Sequence, residues 1–286
     1  MAMLFATAVL LLPVAVVAQS FWLNRSPNKT LGVEIFKPRL YSGVDNGVSY
    51  PVDYSFQTAA FFLSLRWPVG KKTFLVAELP FAHAAFDKKI DRPFSFYRNN
   101  GRESTFGNPY IGLERGSLNS RFFAEIGLRL PLAKTDNNYA AGIGRAADRD
   151  REESFEHLAA IRALINYRSK RTHGLTFRAR GGALVQRDFD HLSNNYFSFP
   201  IHAQVGYETA HITIGIVNLV KISLIDEYRS NFKMNQVQNV GLTGSVRFSS
   251  LRLGVCLPGL IQGSERAFSF LDFDFSSFGL NLSFQR

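Results

Sequence analysis

Large apolar residues recur at every second position along most of the chain. In "RFFAEIGLRLPL" one face carries Phe122, Ala124, Ile126, Leu128, Leu130 and Leu132, and the other carries Phe123, Glu125, Gly127, Arg129 and Pro131. "GLTFRARGGALVQ" sets Leu175, Phe177, Ala179, Gly181, Ala183 and Val185 against Thr176, Arg178, Arg180, Gly182 and Gln186. "FSFPIHAQVGYE" behaves in the same way. A period of two is the signature of a β-strand with unlike faces. It predicts about 12 strands, at 30–41, 54–67, 72–85, 105–115, 120–133, 155–168, 173–186, 197–209, 211–223, 237–248, 250–258 and 277–285. Counts of about 10 or 14 are the alternatives, because 211–223 and 250–276 read ambiguously.

The connections alternate in length. "PVGK", "GSLN", "SKRT", the junction at Ala210 and Ser249–Ser250 are tight, whereas 42–53, 86–104, 134–154, 187–196, 224–236 and 259–276 are long and polar. In an up-and-down sheet, alternate connections lie at one end, so one end is trimmed to turns and the other bears the loops. Outer-membrane barrels have this asymmetry. The expected fold is therefore all-β: a single antiparallel up-and-down transmembrane β-barrel, with short periplasmic turns and long extracellular loops. A soluble sandwich or lipocalin-like barrel would also alternate, with its apolar face turned inward. The paired charges crowding the polar faces, and strands approaching the roughly 9–11 residues that cross a bilayer, favour the membrane reading.

The last strand, "SFGLNLSFQR", alternates Phe278, Leu280, Leu282 and Phe284 with Gly279, Asn281, Ser283 and Gln285. A sheet in lipid must leave no unpaired edge, so this strand is expected to close the barrel on the first, near Leu31–Ile35. Phe284 then lies at the membrane interface. The stretch resembles the C-terminal insertion signal of bacterial outer-membrane proteins, with Gln285 and Arg286 following its aromatic residue. The resemblance implies the barrel-insertion machinery as a partner.

At the other end, "MAMLFATAVLLLPVAVVAQS" is uncharged and apolar to about Val17. Residues 1–18 are expected to be a signal peptide and 19–286 the barrel domain, exported through the periplasm to the outer membrane of a Gram-negative bacterium. The lone Cys256 excludes an internal disulfide framework. The net charge of +10 is dispersed and, with export, points to a membrane surface and not to nucleic acid.

Charge placement defines the candidate site. With polar faces inward, the bore receives Glu34, Glu78, Glu114, Glu125 and Glu208, together with Arg66, Arg129, Arg162, Arg178, Arg180, Arg247 and Arg252. An Arg facing lipid at the midplane costs about 2–4 kcal/mol, so inverting the barrel would exceed the stability of an ordinary domain. These residues either form a structural ladder of ion pairs that plugs the barrel or line a conduit whose arginine wall attracts anions. Aromatic residues near strand ends, among them Trp67, Phe81, Tyr167, Phe197, Phe199, Tyr207 and Phe248, are expected to anchor at the interfaces.

Two loops carry charge. "FDKKIDRPFSFYRNNGRES" is basic, and Lys88, Lys89, Arg92, Arg98 and Arg102 are candidates for binding phosphates of the outer-leaflet glycolipid. In "KTDNNYAAGIGRAADRDREES", Arg145, Arg149 and Arg151 interleave with Asp136, Asp148, Asp150, Glu152 and Glu153. That opposes a calcium cage and predicts a solvated loop. No Cys/His metal spacing, phosphate-cradling loop or dinucleotide fingerprint is present, so neither cofactor nor metal is expected. "RDFDHL" sets Asp188 and Asp190 beside His191 without a second placed pair, and no Ser–His–Asp-type set is fixed. No enzymatic activity and no catalytic residues are expected.

"SLRWPVGKKTFLVAELPFAHA", "TFGNPYIGLERG" and "FFAEIGLRLPLAK" together resemble the outer-membrane barrels of the meta-pathway phenol-degradation family, over roughly residues 55–135. Gly107–Asn108 stands where those barrels have Gly-Asp, and Pro131–Leu132–Ala133 where they have Pro-Thr-Gly. The resemblance implies an outer-membrane barrel admitting small organic or aromatic compounds. The expected function is passive uptake of small anionic or aromatic solutes. The alternative is a non-conducting structural or surface-interaction barrel that presents the long loops.

Overall fold

The computed structural model describes residues 30–38, 52–92, 95–116, 121–133, 139–147, 149–169, 174–188, 195–227, 231–261 and 277–285. The proposed signal segment 1–18, together with Asp136, Asp148, Asp190 and His191, lies outside them. The strands are β1 (Thr30–Pro38), β2 (Val52–Pro68), β3 (Thr73–Arg92), β4 (Ser95–Phe106), β5 (Tyr110–Arg115), β6 (Phe122–Arg129), β7 (Leu158–Arg168), β8 (Gly174–Asp188), β9 (Asn195–Glu208), β10 (Ile212–Glu227), β11 (Asn231–Phe248), β12 (Leu251–Ile261) and β13 (Ser277–Gln285). One helix, α1 (Tyr139–Ala147), is followed by a 3-10 segment, Arg149–Phe155, kinked at Arg151.

From β5 to β13 successive strands pair antiparallel, β3 pairs with β2, β4 and β5, and β13 pairs with β1. β4 and β5 share one place in the ring: Phe81–Arg92 of β3 pairs with β4, and Thr73–Glu78 pairs with β5. The result is a closed antiparallel barrel of 12 strands. Closure occurs where the alternation required it, with Leu31 opposite Phe284 and Ile35 opposite Leu280. No described helix is long and apolar enough to cross a membrane.

The burial pattern is that of a globular protein turned inside out. Leu175, Ile214 and Ile165 are 63%, 64% and 61% exposed, whereas Arg129, Arg178 and Glu114 are buried. Around the turn end, Trp67, Phe122, Tyr207 and Phe248 are exposed, and the Tyr167 ring contacts Phe122 and Phe177 at 5.1 and 6.0 Å. Further along the strands, Phe81 contacts Phe61 and Phe106 at 6.0 and 5.3 Å, and Phe197 and Phe199 are exposed. Two aromatic belts bordering an aliphatic band are what a bilayer selects.

Two expected loops turn out to be strand. Residues 86–104 belong largely to the β3–β4 hairpin, and 224–227 and 231–236 belong to the ends of β10 and β11. Neither stretch alternates cleanly in sequence, yet each continues a ladder begun below it, and backbone groups that can extend a ladder do so.

Ile161 lies between Leu128 and Val185 in the register, and all three are exposed. Ile161→Arg is expected to destabilise the barrel by about 2–4 kcal/mol, measured by reversible urea unfolding in phospholipid vesicles.

Candidate functional site

The chain between β6 and β7 turns into the bore. This corrects the expectation of a solvated loop over 134–154. Ala140, Ala141, Ile143, Ala147 and Phe155 pack with Phe36, Ala60, Phe62, Ala82 and Ala84. The inward positions Ala60 of β2 and Ala82 and Ala84 of β3 are small, and the helix is itself largely alanine and glycine. Small residues on both surfaces let the helix lie close to the wall of β1–β4. A Cβ on Gly144 would stand 2.4 Å from the Phe155 ring, so the turn back toward the 3-10 segment depends on that glycine. Glu103 of β4 accepts the Tyr139 N–H at 2.6 Å, which places a carboxylate at the helix N-terminus, where the helix dipole favours it.

Asn108 in "FGNP" fixes both ends of the inserted segment. Its Oδ1 accepts the Leu132 and Ala133 N–H groups, each at 2.7 Å, as the chain enters. Its Nδ2 is shared by the carbonyls of Glu153 (2.9 Å), Leu158 (3.2 Å) and Glu156 as the chain returns. The Asn108 N–H donates to the Ser154 carbonyl at 2.6 Å. A Cβ on Gly107 would lie 2.2 Å from that same oxygen, so only glycine fits.

Two charged side chains then bridge the bore. Arg151, 0% exposed, donates to Glu34 at 2.9 Å and to Glu78 at 2.8 Å, and its guanidinium lies 3.6 Å over the Phe62 ring. Glu153, also 0% exposed, meets Arg162 at 2.5 Å, Arg129 at 3.8 Å and Lys221 at 3.7 Å. Glu78 on β3 and Lys221 on β10 are on opposite sides of the 12-strand ring. Arg151 and Glu153 thus form an ionic strut across the diameter.

The sequence-predicted interior residues fall into three groups. Glu34, Glu78, Arg129 and Arg162 join the strut, and Arg129 also donates to Glu78 and to the Asn108 carbonyl, each at 2.8 Å. Asn281 Nδ2 donates to Glu34 at 3.1 Å. Nearer the turns, Arg66 binds Glu114 at 2.6 Å beneath Phe74, and Glu125 accepts the Tyr110 hydroxyl at 2.8 Å. On the wall facing away from the helix, Arg178 binds Glu208, Arg180 is buried opposite His202, and Arg252 donates to Ser245 and Thr213 at 2.9 and 2.7 Å.

Arg247 departs from the expectation. It is exposed at the β11–β12 turn, with Nε on the Ser249 carbonyl at 3.3 Å, because its strand ends one residue later. The five basic candidates sit on the hairpin: Lys88, Lys89 and Arg92 on β3, and Arg98 and Arg102 on β4, with Lys89 opposite Arg98. Among the described residues, no three His, Cys, Asp or Glu side chains form a metal-ligand group.

Sequence reasoning missed Arg151, Glu153, Asn108 and Lys221 as site residues. The available signal was the run of alanine and glycine in "YAAGIGRAA", matched by the inward Ala60, Ala82 and Ala84. A solvated loop has no need of such a surface.

No protein-family model matches the chain, and no curated protein does, so the resemblance to the phenol-degradation family rests on its motifs alone. Among solved structures, the COG4313 outer membrane channel from Pseudomonas putida F1 is 14% identical, with a TM-score of 0.52 over 95% of this chain and 99% of that one. LpxR from Salmonella typhimurium is 10% identical, with a TM-score of 0.42 over 90% of this chain and 99% of that one. The likeness to the channel shows the fold, a barrel of the outer-membrane type. The expectation of no enzymatic activity is corrected, since LpxR is an outer-membrane enzyme. At this TM-score LpxR assigns no chemistry to the present chain.

Asn108→Asp retains the acceptor for Leu132 and Ala133 but loses the amide donor. Hydrogen exchange is expected to show Arg151–Leu158 amides losing about 1–3 kcal/mol of protection while Leu132 and Ala133 remain protected.

Proposed function

We propose that the chain is an outer-membrane channel for passive passage of small solutes, organic anions foremost, with the 139–155 segment as its constriction. The observation that carries this reading is the asymmetry of the bore. The inserted segment covers β1–β4, and the opposite wall presents Arg168, Arg178 and Arg252 with Glu208 as their nearby carboxylate, and Arg180 further along β8 opposite His202. Guanidinium groups lining a bore favour anions. Likeness to an outer membrane channel supports the reading, and the resemblance to the phenol-degradation family extends the solute class to aromatic compounds.

The rest of the proposal follows from orientation. The chain is exported, loses residues 1–18, and inserts with β13 closing on β1. Its short turns face the periplasm, and the basic β3–β4 hairpin faces the glycolipid leaflet. The non-conducting alternative is favoured by a different observation: Arg129, Arg151, Arg162 and Glu153 are all buried, which describes a filled bore.

Planar-bilayer recording in a KCl gradient separates the two. The channel reading expects small conductance with an anion-selective reversal potential. Arg151→Ala removes the cation shared by Glu34 and Glu78, a loss of about 3–5 kcal/mol to the docked segment, and is expected to raise conductance severalfold. Silence in both proteins would establish the non-conducting barrel. Liposome swelling with sugars, organic acids and phenolics then identifies the solute class.

A further inference from the structure

We infer that the short-turn mouth of the bore is a binding site for a small oxyanion, carboxylate or phosphate in type, gripped by Arg178 and Arg252. The inference deepens the channel reading by naming what the wall recognises, and rests on it only for the route by which the ligand arrives.

At the mouth of the bore three guanidinium groups surround Glu208. Elsewhere Arg66 has Glu114, Arg151 has Glu34 and Glu78, and Arg162 has Glu153. At the turn end of β7, β8 and β12, Arg168, Arg178 and Arg252 gather around Glu208. Arg178 binds it directly and Arg168 stands 3.8 Å from it. Arg252 hydrogen-bonds the hydroxyls of Ser245 and Thr213, with Glu208 near enough to act on its charge. Both Arg168 and Arg252 are close enough to Arg178 to act on its charge.

The second observation is an unused donor. Arg178 is 2% exposed, yet its Nε has no acceptor among the described residues. A buried polar group without a partner is costly, and more so when charged. An oxyanion offers what this place lacks: negative charge and paired oxygens that match the guanidinium fork.

The test uses the full mature chain in detergent, titrated calorimetrically at low salt with benzoate, with inorganic phosphate, and with neutral benzamide as control. At least one anion is expected to bind and benzamide to fail. Arg178→Gln and Arg252→Gln are each expected to weaken binding about tenfold, the scale of one charge-assisted hydrogen bond. Glu208→Gln removes the competing carboxylate and is expected to strengthen binding severalfold, a gain that misfolding cannot imitate. Binding of benzoate alone identifies a carboxylate site, and binding of phosphate, with or without benzoate, a general oxyanion site. No binding of either anion, unchanged affinity in both arginine variants, or weaker binding in Glu208→Gln overturns the inference. Conduction without binding leaves the channel reading standing and removes the site; binding by a protein that never conducts does the reverse.

Discussion

Glu153 sits near the middle of a barrel, facing Arg129, Arg162 and Lys221, with Arg151 two residues away holding Glu34 and Glu78. None of these ions can leave for water without taking the chain segment with it, and none can remain buried without its partners. The inward course of 139–155 and the placement of Asn108 both answer to that requirement. Lipid drives the exterior by the same logic in reverse, since apolar side chains may face it and backbone groups may not. The barrel wall satisfies lipid, and the strut satisfies the bore.

The wall was legible because lipid and bore impose opposite demands on successive residues. Phe122 through Leu132, Leu175 through Val185 and the closing strand from Phe278 each carry their orientation in the alternation alone. The interior set followed from it, apart from Arg247, whose strand ends before it is enclosed. What the alternation could not reach was the path of the chain between strands. A run such as "YAAGIGRAADRDREES" is charged enough to read as solvent-facing, and the partners that bury it, Glu34, Glu78 and Lys221, are far away in sequence. The hairpin over 86–104 escaped for a related reason: its strand character comes from continuing a ladder and not from its own pattern.

Fold and function separate at this point. The outer-membrane barrel shape is shared with a channel, and unrelated functions can occupy one scaffold. What distinguishes this chain is inside: an alanine-lined wall on one side that receives a helix, and an arginine-lined wall on the other.

The pairing of Leu31 with Phe284 also bears on how the molecule is made. That ladder joins two strands nearly the whole chain apart, and the strut joins β1 and β3 to β10 over comparable separations. Contacts so distant in sequence form slowly, because the entropy of bringing the ends together is spent before any reward arrives. Until β13 reaches β1, two edges stay open and the buried ions lack their full set of neighbours. Assembly of this barrel is therefore a late, concerted event, and its ordering of the interior is inseparable from its closure.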